Sequence, residues 1–146
     1  MPRYSAGVRT GAGSTTLPII SLYAPAGSGG TIREIGVFNT TAVAVALHVI
    51  RLAATGTQGS GLVEAKHDPN SAAAAMTAFT THSVDPTSGA TDLGYRTSLG
   101  AAIGSGIIWT FGDAGLRIQA GTSNGIGVIV STGTGQICDA YIVWDE

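Results

Sequence analysis

The run Gly121-Thr122-Ser123-Asn124-Gly125 has the G-x-S-x-G spacing that presents an acyl-transfer serine on a sharp strand-to-helix turn. The next residues, Ile126-Gly127-Val128-Ile129-Val130, alternate like a strand, and Asn124-Gly125 is itself a common turn pair. Ser123 therefore reads as part of a polar turn. His48, His67 and His82 are the other residues able to move protons or hold a metal, and each would need a carboxylate or second imidazole beside it. Only His67-Asp68 and His82 with Asp85 approach that in sequence, and no close-spaced ligand pair exists, so no metal site is expected. Gly27, Gly29 and Gly30 form a flexible turn without the Lys-Ser/Thr of a phosphate loop. Asp68, Asn70 and Ser71 lack the central glycine and terminal glutamate of a calcium loop. Cys138 is alone, which rules out a disulfide within the chain, and its apolar alternating surroundings predict a buried, inert thiol. No catalytic residue and no cofactor is expected, and the chain does not read as an enzyme.

The elements around these residues are strands. Period-two patterning bounded by Gly, Ser, Thr, Asn and Asp clusters recurs from end to end. Candidate strands lie near Leu17–Tyr23, Thr31–Asn39, Val43–Leu52, Leu62–Lys66 and Thr77–Val84. Others lie near Asp92–Ser98, Gly106–Phe111, Leu116–Gln119, Gly125–Ser131 and Gln136–Trp144. About ten short strands in one domain imply an all-β sandwich or barrel. Val43–Leu52 is apolar on both faces, so its outer face should lie under a loop or against another subunit. Thr132-Gly133-Thr134-Gly135 is expected to turn the strand before it into a hairpin with the strand after it. Asp68-Pro69-Asn70-Ser71 and the alanines after it suit either a short capped helix or an irregular loop. Either way Glu64–Ala75 is a long excursion, and such segments usually carry contacts. Trp109 and Trp144 stand near strand ends, where they can seal a core, anchor an interface or stack on a sugar.

Size and composition narrow the class. A chain of 146 residues fits one domain, and 44% hydrophobic residues with only 6% aromatic ones predict a core of Val, Ile, Leu and Ala. Charged residues make up only 11%, with Lys66 the single lysine, where an ordinary soluble domain carries about 25%. A free monomer needs charge to stay soluble and to blunt its sheet edges, so the composition points to an assembly subunit. The net charge of −2 and the lack of a Lys/Arg cluster give no basis for tracking nucleic acid. The longest apolar stretch, Ala42–Ala54, is broken by His48 and Arg51 and is too short for a membrane span; the N-terminus lacks the apolar segment of a secretion signal. Charge is also unevenly placed: Arg3, Arg9 and Arg33 precede the first acid, Glu34, and the last eight residues carry only Asp139, Asp145 and Glu146. Two readings stay open, a basic N-terminal arm that meets an acidic surface such as a neighbour's, or three early arginines in solvent.

Ile32–Asn39 and Val43–Leu52, then His67-Asp68 with its alanine-rich continuation, Thr80–Pro86, Ile108-Trp109-Thr110-Phe111-Gly112 and the closing Tyr141-Ile142-Val143-Trp144-Asp145-Glu146 form a recognisable succession. It resembles small β-rich virion proteins of tailed bacteriophages, the capsid decoration (cement) and head-associated proteins. The resemblance implies a sandwich-like fold, read as a jelly-roll-like β-sandwich over residues 17–146; residues 1–16 fall outside the resemblance and are expected to form an N-terminal arm. It also implies a homotrimer that binds the outside of an icosahedral head, cements the major capsid protein lattice, and is made in the host cytoplasm before joining the virion. Arg3, Tyr4 and Arg9 of the arm and His67 and Asp68 of the excursion are the expected contact residues. The competing expectation is a tail or spike module that binds host carbohydrate.

Overall fold

The computed structural model describes residues 1–146. Its strands are β1 (Arg3–Arg9), β2 (Ile20–Tyr23), β3 (Gly30–Asn39), β4 (Val45–Leu52), β5 (Ala65–Lys66) and β6 (Thr77–Thr80). They continue with β7 (Thr91–Leu99), β8 (Gly106–Thr110), β9 (Leu116–Ile118), β10 (Gly125–Thr132) and β11 (Cys138–Asp145), and there is no helix. One sheet has the order β5-β1-β11-β3-β8, with β9 also on β3, and the other has the order β6-β2-β10-β4-β7. All pairings are antiparallel, and the long strands pair in nested fashion: β1 with β11, β2 with β10, β3 with β8, β4 with β7. A chain paired first with last and folded inward across two sheets is a jelly roll. The expected β-sandwich is therefore present, with the jelly-roll order.

Alternation builds the core. Tyr4 and Ala6 of β1, Ile35 and Val37 of β3, Val45, Leu47 and Val49 of β4, Ile126, Val128 and Val130 of β10, and Ala140, Ile142 and Trp144 of β11 all face one buried cluster. Each large apolar side chain so buried contributes about 1.5–3 kcal/mol against exposure. Trp109 and Trp144 are both buried in it, and so is Cys138. The outer face of β4 is covered too: Ile50 and Leu52 pack with Tyr23 and Ile129 in a second cluster that Phe79 and Ala90 close, and the Tyr23 hydroxyl donates to the Ala54 carbonyl. Of the two covers expected for that face, it is the chain's own loop that supplies one.

Two expectations fail for physical reasons, and one open alternative is resolved. Residues 1–16 are not an arm outside the sandwich. Residues 3–9 alternate Tyr4 and Ala6 inward against Ser5 and Gly7 outward, and they pair with residues 139–145 of β11. The hairpin across Thr132–Gly135 does not form, because β10 and β11 belong to opposite sheets. The connection crosses the sandwich at Gly135, where a Cβ would collide with the Ala12 carbonyl. Of the two readings of the excursion, the irregular loop is the one that forms: Asp68 holds an Asx turn, its carboxylate accepting from the Asn70 amide (2.9 Å). The excursion's strands are shorter than the pattern suggested, Ala65–Lys66 and Thr77–Thr80.

A serine and a histidine meet inside the second sheet's end. Ser21 Oγ lies 2.8 Å from His82 Nε2, with Ser21 fully buried and His82 nearly so. Burial pushes the His82 pKa down to about 4, the Thr55 backbone opposing weakly. The unfolded chain therefore binds a proton here between about pH 6.5 and 4 that the folded chain refuses, so stability falls as pH drops through that window. The loss should reach about 3 kcal/mol by pH 4, and burial of His48 acts with the same sign. Urea unfolding across this range should show the slope, and His82→Asn should flatten it; an unchanged slope in that variant would remove His82 as its source.

Candidate functional site

The bulge between β3 and β11 brings two arginines onto one carboxylate. The register steps from Val143↔Glu34 to Trp144↔Ile32, so Arg33 is an extra residue on β3 and is re-aimed off the ladder. Its Nε donates to Asp145 Oδ2 (2.7 Å). Arg3, directly opposite Asp145 on the other neighbouring strand, donates from Nε (2.7 Å) and Nη2 (3.1 Å) to the same carboxylate. Asp145 is only 5% exposed. The Arg3 hydrogen bond and, with it, Arg33 hold its carboxyl below the usual carboxylate range. Arg33 Nη1 also donates to the Gly112 carbonyl (3.2 Å) and the Asp113 carbonyl, tying the turn after β8 to this point.

A concavity of about 490 Å³ opens beside the clamp, lined by Met1, Pro2, Arg3, His67, Asp68 and Ser71. The His67 amide donates to the Arg3 carbonyl (2.9 Å), and the Ser71 amide to the Asp68 carbonyl (3.0 Å). The wall is held from beneath. Tyr4 stacks on Trp144 at 5.9 Å and 27°, and its hydroxyl donates to the Ala72 carbonyl (3.0 Å). Glu146 accepts from the Ala75 (2.6 Å) and Met76 (2.8 Å) amides through its two carboxylate oxygens. The excursion is thus pinned to both ends of the chain.

Arg3, His67 and Asp68, three of the five residues proposed from sequence, lie on one exposed wall. Tyr4 does not join them: it is 1% exposed and points into the core, where it anchors the wall. Arg9 is at the far end of β1, about 20 Å away along the strand. It pairs with Asp139 through Nε (2.9 Å) and Nη2 (3.1 Å), beside a different concavity with Thr40 and Ile137. The basic start of the chain does meet an acidic surface, and that surface is its own C-terminal strand. Arg33, Asp145 and Glu146 were visible in sequence only as ends of a charge asymmetry; the β1–β11 register is what makes them neighbours.

The chemistry available here is recognition by charge and hydrogen bonding. Ser123 lies in an exposed turn, and the histidines go to three places: His48 Nδ1 is 2.7 Å from Ser131 Oγ, His82 is buried against Ser21, and His67 is exposed. No three His, Cys, Asp or Glu side chains gather as a metal would require. With both tryptophans buried, neither offers the exposed ring on which a sugar would stack.

No protein-family model and no curated protein matches the chain. Among solved structures, one of a marine algae virus of the order Picornavirales is similar at 10% identity and a TM-score of 0.22, with 96% of this chain and 65% of that chain covered. The jelly-roll assignment rests on the strand order and not on this likeness.

The two ion pairs of β1 should differ sharply in weight. Asp145→Asn leaves two guanidiniums against an almost buried site and should cost about 2–4 kcal/mol in urea unfolding. Asp139→Asn, at an exposed pair, should be indistinguishable from the parent. Equal costs for the two would refute the clamp.

Proposed function

We propose that the chain is a structural virion protein: a homotrimeric capsid decoration, or cement, protein that binds the outside of a tailed-phage head. The observation that carries the reading is the unequal treatment of the four sheet edges. On one side of the sandwich the excursion runs back to lay β5 beside β1 and β6 beside β2, so both edges end in strands of two and four residues. Very short edge strands resist further pairing. On the other side the sheets end in β7 and β8, and nothing covers either.

These two open edges are not alike. β7 carries a bulge, its register passing from His48↔Arg96 to Ile50↔Asp92, and an Arg96–Asp92 ion pair, both of which blunt an edge. β8, Gly106-Ile107-Ile108-Trp109-Thr110, has no charge, proline or bulge, and Ile108 is 51% exposed. Tyr95 and Phe111 meet edge to face at 5.0 Å and link the two edges. An uncharged open edge suits a subunit whose neighbours cover it, and it fits the low charge of the chain. In this reading copies pair through the β8 side, and the Arg3–His67–Asp68 wall contacts the shell. Binding only the assembled shell adds the free energy of each contact to the shell's stability, and many equivalent copies make modest contacts sufficient.

Light scattering of the purified chain should give three times its 14.6 kDa mass, and Ile108→Lys should return it to one. The trimer should co-sediment with undecorated heads of the same virus, and a wall variant, Asp68→Lys with His67→Glu, should stay a trimer yet fail to co-sediment. A parent chain that is monomeric at high concentration and ignores the heads would sink this reading.

A further inference from the structure

Two cations without a carboxylate partner meet at one cavity. Arg3, Arg9, Arg33 and Arg96 each hold a carboxylate, which leaves Lys66, Arg51 and Arg117 of the seven basic residues. Arg51 continues the inward-facing row of β4 after Val45, Leu47 and Val49, at the end of the core where the sheets part. From there its Nη1 donates to the Arg117 carbonyl of β9 (2.6 Å), in the opposite sheet. That bond uses one of the five N–H donors of Arg51 and none of those of Arg117. Thr91, paired next to Arg51 across the β4–β7 ladder, together with Gln119, Asn124 and Leu52, completes the wall of a cavity of about 370 Å³. No Asp or Glu lines it. The Asn124 amide is fixed by donation to the Ala120 carbonyl (2.8 Å).

Arg51 and Arg117 both line this concavity, and the chain, with a net charge of −2, supplies no carboxylate there to offset their charge. A guanidinium presents a planar fork that matches two oxygens of one anion, and a bidentate pair is the strongest contact it makes. The surrounding amide and hydroxyl groups suit a hydroxylated body, and the volume lies in the range of about 300–1,000 Å³ of small-ligand sites. We infer that this cavity is a binding site for an oxyanion, the carboxylate or phosphate of a small hydroxylated molecule such as an acidic sugar. Arg117 supplies the exposed fork and Arg51 the fixed one. The site is independent of the edge and wall used for assembly.

Amide NMR titrations with glucuronate, inorganic phosphate and neutral glucose test it on the full chain. Glucuronate and phosphate should shift the signals of Arg51, Arg117, Gln119 and Asn124, and glucose should not. Tighter binding of glucuronate identifies an acidic sugar, and equal binding identifies the oxyanion alone. Arg117→Gln, at an exposed side chain, should keep the fold and weaken binding by about tenfold, the loss of one charge-assisted contact; Arg51→Gln should do the same. The inference falls if neither anion shifts these signals, if glucose shifts them equally, or if both variants bind as the parent does.

Discussion

The pairing of β1 with β11 is the contact on which the rest of the molecule depends. It joins residue 3 to residue 145 and residue 9 to residue 139, so the two ends of the chain are neighbours along a full strand. Every other pairing of the jelly roll is nested inside it. The pair is stapled at both ends by bidentate arginine–carboxylate contacts, but only the Asp145 end is shielded from water, and only there does Arg33 add a second cation from β3. Directly beside this clamp Tyr4 stacks on Trp144, so one strand pair supplies the largest buried ring contact, the charge clamp and the anchor of the long excursion.

The clamp also explains how the excursion can protect one side of the sandwich. A segment of this length would lose much conformational freedom if it were ordered only by its own turns. Instead its amides are bound by Glu146, its carbonyl at Ala72 by Tyr4, and His67 by the Arg3 backbone. The two ends of the chain therefore hold the middle, and the middle lays β5 and β6 over two edges. Nothing comparable reaches β7 and β8. The asymmetry is a consequence of where β1 and β11 lie.

Much of this was legible in the sequence because alternation reports the strand face directly. The rows of β4 and β10 and the buried Cys138 came from period two alone. The same alternation was present at Tyr4, Ala6 and Val8, yet early arginines in a glycine-rich start read more readily as an arm, and only pairing with β11 shows the segment to be a central strand. The Gly-rich link after β10 has the composition of a hairpin turn; local sequence cannot say whether the next strand returns in the same sheet or crosses to the other. Arg3, His67 and Asp68 converged because β5 pairs with β1. Arg51 and Arg117 carry no local signal at all, since they lie in different sheets and only the closing end of the sandwich brings them together.

The scarcity of charge takes on a different meaning once each cation is placed. In an ordinary domain charge is spread over the surface, and most of it does no more than keep the protein soluble. Here Arg3, Arg9, Arg33 and Arg96 are each committed to a carboxylate on an adjacent or the same strand. Lys66 lies on β5, where a lysine on a two-residue edge strand discourages further pairing. Four basic residues are thus paired, two of them at the shielded Asp145, and a fifth guards an edge. The long faces and the β8 edge are left with almost none, and a free subunit would have little to keep copies of β8 apart. The two remaining arginines cannot be assigned to either duty, because Arg51 sits in a core-facing row and Arg117 faces the same cavity from the opposite sheet. A chain this sparing with charge that nonetheless lines one concavity with two arginines and no acid has built positive potential there, and a positive point in a concave wall selects for an anion.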